Sequence, residues 1–455
     1  MCIGQGMILL DNTIVNVALP SIQRGLRVTP GNLEWTINAY VLALASLIIL
    51  GGTLGDRYGR RRFYLVGLVG FTVCSAACGL AQSGVELIVY RGLQGIGAAM
   101  LAPLSLSILV DAYPPEERPT AIGIWASVAG LGFVAGPIVG GLLINRFDWP
   151  AVFWVNVPIG AVVLAALPRL LPSGTRRRDV RPDLPGALAT TVALGLLVYG
   201  LTSAGEHGPA IVTSWLPLLL AGCVTAWLVR HLRRSPDPLL PPWLLRSRAV
   251  AGACVTALAL TASTTPAMYL STVYVQRVLE LPPARAALLF PAFNVAVIAG
   301  SLAGPGLLRR LGARQVALAG FGAIAAGTVL LAALPAAGRP VGQLLAAFAV
   351  MGAGLGAAAV ASTHVGTEAP EPAHQGVASG VLNAAAQVGT ALGLAVLAPV
   401  AGYRTGFVGA GLLALAGLAT ALLLPGARDR DARGPRPPMS IVDDVPRGES
   451  RAVGE

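Results

Sequence analysis

GGTLGDRYGRRR, residues 51–62, sets four arginines and one aspartate between two apolar runs. Gly55 and Gly59 permit a tight chain reversal. Asp56 can accept hydrogen bonds from a neighbouring helix N-terminus or from an arginine. Arg57, Arg60, Arg61 and Arg62 would hold the reversal at an aqueous surface. On either side the chain stays apolar for about 20 residues, enough to cross ~30 Å of hydrocarbon. The stretch reads as a short charged loop joining two membrane spans.

The rest of the chain fits that reading. Of 455 residues, 55% are hydrophobic and 12% charged, about half the charged fraction of a soluble domain. Mean hydropathy is +0.71. Apolar runs recur from 1–22 to 404–424, and their number predicts fourteen spans, with 150–171 and 184–204 among them. An even number puts both termini on one side. All 32 basic residues are arginine. Eighteen lie on the side of Gly51–Arg62, seventeen of them in loops and Arg169 at the end of its span, and seven lie opposite: Arg24, Arg27, Arg146, Arg277, Arg285, Arg339 and Arg404. That bias predicts a multi-pass protein of the cytoplasmic membrane with both termini in the cytoplasm.

Arginine- and proline-containing linkers at 172–183 and 231–248 divide the spans into six, two and six. The predicted units are a bundle over 1–171, an inserted pair with its linkers over 172–248 and a second bundle over 249–424. The tail, 425–455, lacks apolar periodicity and is expected to be disordered. No loop is long enough to fold as a soluble enzyme domain, so an enzyme is not expected. The basic residues are dispersed rather than gathered on one module, which argues against nucleic acid as a partner. Cys2, Cys74, Cys78, Cys223 and Cys254 have no metal-ligand spacing, and neither a metal nor a cofactor is expected.

Few groups could carry a proton. There is no lysine, and no acid occurs between Glu280 and Glu368. His207, His231 and His374 fall in loops, and His364 falls at the inner end of span 12. Asp11, in LLDNTIVNVALP (residues 9–20), is the acid placed at mid-membrane depth. Arg91 opens RGLQGIGAAM inside span 4. Its guanidinium stays charged, and an intramembrane charge needs a partner and is functional by default. Asp11 and Arg91 are therefore the candidate proton-coupling groups. Burial disfavours the charged form of Asp11, and Arg91 would favour it if the fold joins spans 1 and 4. In span 5, GLGFVAGPIVGG (residues 130–141) repeats Gly132, Gly136 and Gly140 every four positions, which makes one bare face for close helix contact. With the local distortion of Pro137, it reads as a hinge or seal where two bundles meet. Gly52, Asp56, Arg57, Gly59 and Arg60 are the companion switch residues. Polar candidates for lining a substrate cavity are Asn16, Trp35, Asn38, Tyr40, Gln94, Asn156, Asn294, Asn383 and Gln387.

The Gly51–Arg62 loop resembles the hallmark loop of the major facilitator superfamily, and the span-5 glycines resemble the antiporter motif of exporters in it. LLDNTIVNVALP, WPAVFWVNVPIG (149–160) and GVASGVLNAAAQVGTALGLAV (376–396) resemble the fourteen-span drug:proton antiporters. The resemblance covers about 1–424. It implies an all-α integral membrane fold of 14 transmembrane helices: two six-helix bundles with pseudo-twofold symmetry around a central cavity, plus two inserted helices. It also implies a substrate site near the bilayer midplane, where the two repeats meet, and alternating access by rocking of one bundle against the other. It further implies a monomer that uses the proton gradient to export lipophilic small molecules, monocations included, and so gives drug resistance. Export of one endogenous metabolite is the alternative. A membrane receptor or scaffold that has lost transport is a third reading, and intact Asp11, Arg91 and Gly136–Pro137 argue against it.

Overall fold

The computed structural model describes residues 1–28, 30–170, 183–207, 211–235, 238, 242–281, 289–335, 340–369, 374–397 and 402–424. No strand occurs among the described residues. The first helices are α1 (Cys2–Leu26), α2 (Pro30–Tyr58), α3 (Arg60–Gly79), α4 (Gly84–Ala112) and α5 (Arg118–Phe147). A short α6 (Ala151–Trp154) leads into α7 (Asn156–Leu170). Then come α8 (Leu184–His207), α9 (Val212–Leu232) and the short α10 (Pro242–Arg246). The last six are α11 (Arg248–Arg277), α12 (Pro291–Leu311), α13 (Ala313–Ala332), α14 (Val341–Glu368), α15 (Gln375–Leu397) and α16 (Tyr403–Ala421).

Among the described residues, twelve helices are long and apolar enough to cross a membrane, where the sequence predicts fourteen. The two expected spans that fall short are 150–171 and 184–204. In the first, the helix breaks at Val155 between α6 and α7. Its apolar stretch is Ala151–Leu167, and that of α8 is Leu188–Leu201, both shorter than a full span. The tail 425–455, residues 172–182 of the first linker, Arg285 and Arg339 lie outside the described residues.

The reversal between α2 and α3 turns on Gly59, whose φ of 103° few side-chain-bearing residues tolerate. Gly312, with φ 82°, performs the same turn between α12 and α13. Gly55, expected in the reversal, is instead inside α2 against the Leu104 side chain.

Packing repeats along the chain. In the first group α1 lies on α5, α2 on α4, and α3 on α4 and α7. In the second, α11 lies on α15, α12 on α14, and α13 on α14 and α16. Each group has its own aromatic core: Tyr40, Tyr64 and Phe71 in one, Phe321, Phe348 and Phe407 in the other. The groups meet where α2 crosses α15 and where α5 crosses α12. Helix α8 lies against both α2 and α15. Helix α9 packs on α8 and turns Trp215, Leu219 and Trp227 outward, a surface suited to lipid.

Candidate functional site

Asp11 and Arg91 meet inside the first helix group, both wholly buried. Helix α4 aims its polar face from the start. Ser83 caps it by accepting the Glu86 N–H at 3.3 Å, and Glu86 reaches back past the cap to accept the Gln82 N–H at 3.0 Å. Arg91 and Gln94, three residues apart, then share one face. Arg91 Nη1 donates to Asp11 Oδ2 at 2.6 Å and to Gln94 Oε1 at 2.8 Å, and its Nε donates to the Thr36 carbonyl at 3.0 Å. Asp11 Oδ1 accepts from Gln94 Nε2 at 3.0 Å and from Asn156 Nδ2 at 2.8 Å. Asn156 also donates to Ser75 Oγ at 3.0 Å, and Ser75 donates to the Phe153 carbonyl at 2.8 Å. The Arg91 guanidinium carbon lies 4.1 Å from the Tyr40 ring centre, within cation–π range.

This cluster ties α1, α2, α3, α4, α6 and α7 through one ion pair. Both Asp11 oxygens have donors. Arg91 Nη2 and Asn156 Oδ1 are buried with no partner among the described residues, an unfavourable arrangement that leaves the network able to gain a contact. In this arrangement neither charge touches solvent, so a proton reaches Asp11 only if the network opens.

A second cluster closes the arginine-rich end between the two groups. Asp56 Oδ2 accepts the Val377 N–H at 2.9 Å. Its Oδ1 accepts from Arg60 Nε at 2.7 Å. Arg60 also reaches Gln375 Oε1 at 3.3 Å and Asp111 Oδ2 at 3.1 Å. Gly52 stands against the Gly376 carbonyl, where any side chain would collide. Arg57 lies 6.0 Å from the Tyr58 ring centre. On the other seam, a Cβ at Gly123 would stand 2.7 Å from the Ser301 carbonyl oxygen, and one at Gly130 would stand 2.9 Å from Ile298. Contact between the groups thus runs from mid-helix to the arginine-rich end on both seams.

Of the span-5 motif, Gly130 sits where the groups meet, but the repeated Gly132, Gly136 and Gly140 do not, contrary to the sequence expectation. Gly132 faces the Gly6 carbonyl, Gly136 faces Thr13, and Gly140 faces Ile14. All three serve the crossing of α5 on α1 inside the first group. The seam contacts of α5 come from Gly123 and Gly130, on a different face. Pro137 lies within α5.

The nine expected cavity residues divide. Tyr40, Gln94 and Asn156 belong to the Asp11 cluster and are wholly buried, because α2, α4 and α7 turn them inward to the charge pair. Asn294 is buried and donates to the Phe290 carbonyl of its own helix. Asn16 is exposed and bonds the Asn12 carbonyl. Trp35 is 41% exposed, and Asn38 and Gln387 are half-buried. Only Asn383 lines a chamber of ≈ 150 Å³ between the groups, with Leu106, Trp125, Thr261, Ser362 and Thr363 among its neighbours. Sequence reading missed Ser75, Trp125, Thr261, Ser362 and Gln375. Ser and Thr in apolar helices carry no signal of their own, since most only bond the carbonyl one turn back.

The family model for the Major Facilitator Superfamily matches residues 1–394 and 253–447. Multidrug resistance protein Stp of Mycobacterium tuberculosis is 36% identical over 400 residues, covering 88% of this chain and 74% of that protein. The tetracenomycin C resistance and export protein of Streptomyces glaucescens is 34% identical over 417 residues, covering 90% and 76%. The solved structure of the human organic anion transporter MFSD10 superposes with a TM-score of 0.67 at 16% identity, covering 92% of this chain and 97% of that one, a likeness of fold. With the reversal at Gly59, the repeated packing order and the family match, the chain belongs to the major facilitator superfamily.

Proposed function

We propose that the chain is a proton-coupled antiporter that exports lipophilic small molecules across the cytoplasmic membrane. The observation that carries this is the wholly buried Asp11–Arg91 pair. A charge pair without solvent contact in the membrane interior is costly to keep and gives a transporter a group to protonate and release. Arg91 Nη2 and Asn156 Oδ1, unpartnered here, are the points at which the network would rearrange when Asp11 takes a proton. Rocking of two bundles, 1–171 and 249–424, would then alternate access. The arginine-rich end is the cytoplasmic one in this reading, by the positive-inside rule. The Asp56–Val377 and Gly52–Gly376 contacts make the arrangement closed to the cytoplasm. Helices α6–α7 and α8 would complete a count of fourteen spans, with the inserted pair against the α2–α15 seam and the protein a monomer.

The names of the relatives support drug export, and one specific observation favours a second reading, a dedicated exporter of one metabolite. A relative in Amycolatopsis lactamdurans, 36% identical over 412 residues, is named as a cephamycin export protein. The test is the resistance profile of a pump-deficient host expressing this chain, with and without a protonophore. Resistance that survives the protonophore removes the antiport reading. Unaltered sensitivity to a broad drug panel favours the dedicated exporter.

A further inference from the structure

The chamber between the helix groups is walled by Leu106 and Trp125 from one group and by Thr261, Ser362, Thr363 and Asn383 from the other, with alanines and leucines between them. None of its lining residues is charged. An ion entering it would lose its water without a counter-charge, which is expensive for either sign. Its ≈ 150 Å³ is the size of cavity that holds a single benzene-like ring.

The polar groups of the wall share a further property. Most of their donors are already engaged. The Thr261 hydroxyl donates to the Ala386 carbonyl at 2.7 Å. The Ser362 hydroxyl donates to the Ala253 carbonyl at 2.7 Å. Asn383 Nδ2 donates to the Ser379 carbonyl at 2.9 Å, which fixes the amide so that Oδ1 is the oxygen left to accept. The Trp125 indole N–H goes to Ser105 Oγ at 3.1 Å. Thr363 can serve either way. These bonds also staple α11, α14 and α15 together, so releasing a donor would loosen the helix packing. What the wall offers a guest is chiefly oxygen lone pairs and an indole ring, with the Thr363 hydroxyl and the second Asn383 N–H as its remaining donors.

We propose that this chamber binds an uncharged aromatic ring bearing its own hydrogen-bond donor, a phenol or an aryl N–H, with the ring against Trp125 and the donor on Asn383 Oδ1. Anions are disfavoured because the wall has no cation to balance them. Cations are disfavoured because no carboxylate reaches the chamber. The inference deepens the export reading and rests on it for its biological meaning, but its test needs no gradient.

The test uses the purified full-length chain and equilibrium dialysis of four labelled probes, with empty micelles subtracted. The probes are phenol, anisole, benzoate and benzylammonium. Phenol should bind about 5-fold more tightly than its methyl ether, the value of one neutral hydrogen bond, and both ions should bind more weakly than either. Asn383→Leu should erase the phenol preference while binding of the ether persists, which shows that the chamber is intact. Asn383→Asp should gain affinity for the ammonium probe by about 10-fold, as a charge-assisted bond would give. Trp125→Ala should weaken both neutral probes, and Trp125→Phe should restore them. The proposal is overturned if either ion matches phenol on the unaltered chain, if the phenol preference survives Asn383→Leu, or if no probe binds. Selective binding without export in vesicles would instead sink the transport reading and leave the binding site standing.

Discussion

Asp11→Asn probes the charge pair with almost no change in shape. In the unaltered chain Asp11 Oδ1 takes two amide N–H groups and Oδ2 takes Arg91. An asparagine cannot satisfy that geometry. If its oxygen faces Gln94 and Asn156, its NH₂ points at the Arg91 guanidinium. If its oxygen faces Arg91, its NH₂ meets two other NH₂ groups. Turning the Gln94 amide to relieve this forfeits the bond to Arg91, and turning Asn156 forfeits Ser75. Removing one partner of a buried pair costs about 3–5 kcal/mol. The Tyr40 ring faces the guanidinium before and after the change, so it leaves the difference untouched. We expect a loss of about 3–5 kcal/mol in unfolding measurements on the purified protein. We also expect the protein to insert and to lose substrate accumulation in vesicles under an imposed pH step. Adding Arg91→Gln removes the stranded charge, so the double variant should recover much of the stability and none of the proton coupling. If Asp11→Asn vesicles still concentrate substrate when the pH step is applied, the proton role lies elsewhere, and Glu34 is the next residue to test.

Gly136→Leu should abolish transport in a protein that still reaches the membrane. A Cβ there would already sit 2.9 Å from Thr13 Cβ and 3.0 Å from the Ile14 nitrogen, one turn from Asp11, and overpacking of this kind costs about 1–3 kcal/mol; normal transport by a well-expressed variant would refute the contact. Asp56→Ala removes the acceptor of the Val377 N–H and of Arg60 Nε, and bonds to a charged group are worth about 1.5–3 kcal/mol each. The closed-to-open ratio should fall by at least about tenfold, read as faster labelling of a cysteine placed at Ile49 by an impermeant maleimide from the arginine-rich side. A rigid organic dication should be exported far less well than its monocationic analogue, because no acid occurs between Glu280 and Glu368 to balance a second charge; equal export rates in vesicles would count against it.

Some of this was legible in residue order because it follows from local chemistry. Apolar length and the placement of arginines state that the chain crosses a membrane repeatedly, since both depend on composition along the chain. Gly59 was legible as a turn because the loop is short and needs a left-handed residue. Asp11 and Arg91 stood out because a charge in an apolar run needs a partner wherever the fold puts it. What the sequence could not determine is which faces meet. The four-residue glycine repeat of α5 states that something approaches closely; only the packing decides that it is α1, and that Gly123 and Gly130 face α12 instead. Asn156 and Gln94 read as cavity polar groups until the fold brought them within 3.0 Å of Asp11 across 145 and 83 positions. The break at Val155, which sets Asn156 at the head of α7, has no strong helix breaker at its own position. Ser75, Thr261 and Ser362 are ordinary small residues until a neighbouring helix supplies their carbonyl or amide. Periodicity fixes that a helix has a polar or bare face, but the rotation of that helix against its neighbours is settled by summed packing over the whole bundle, and no single segment encodes it.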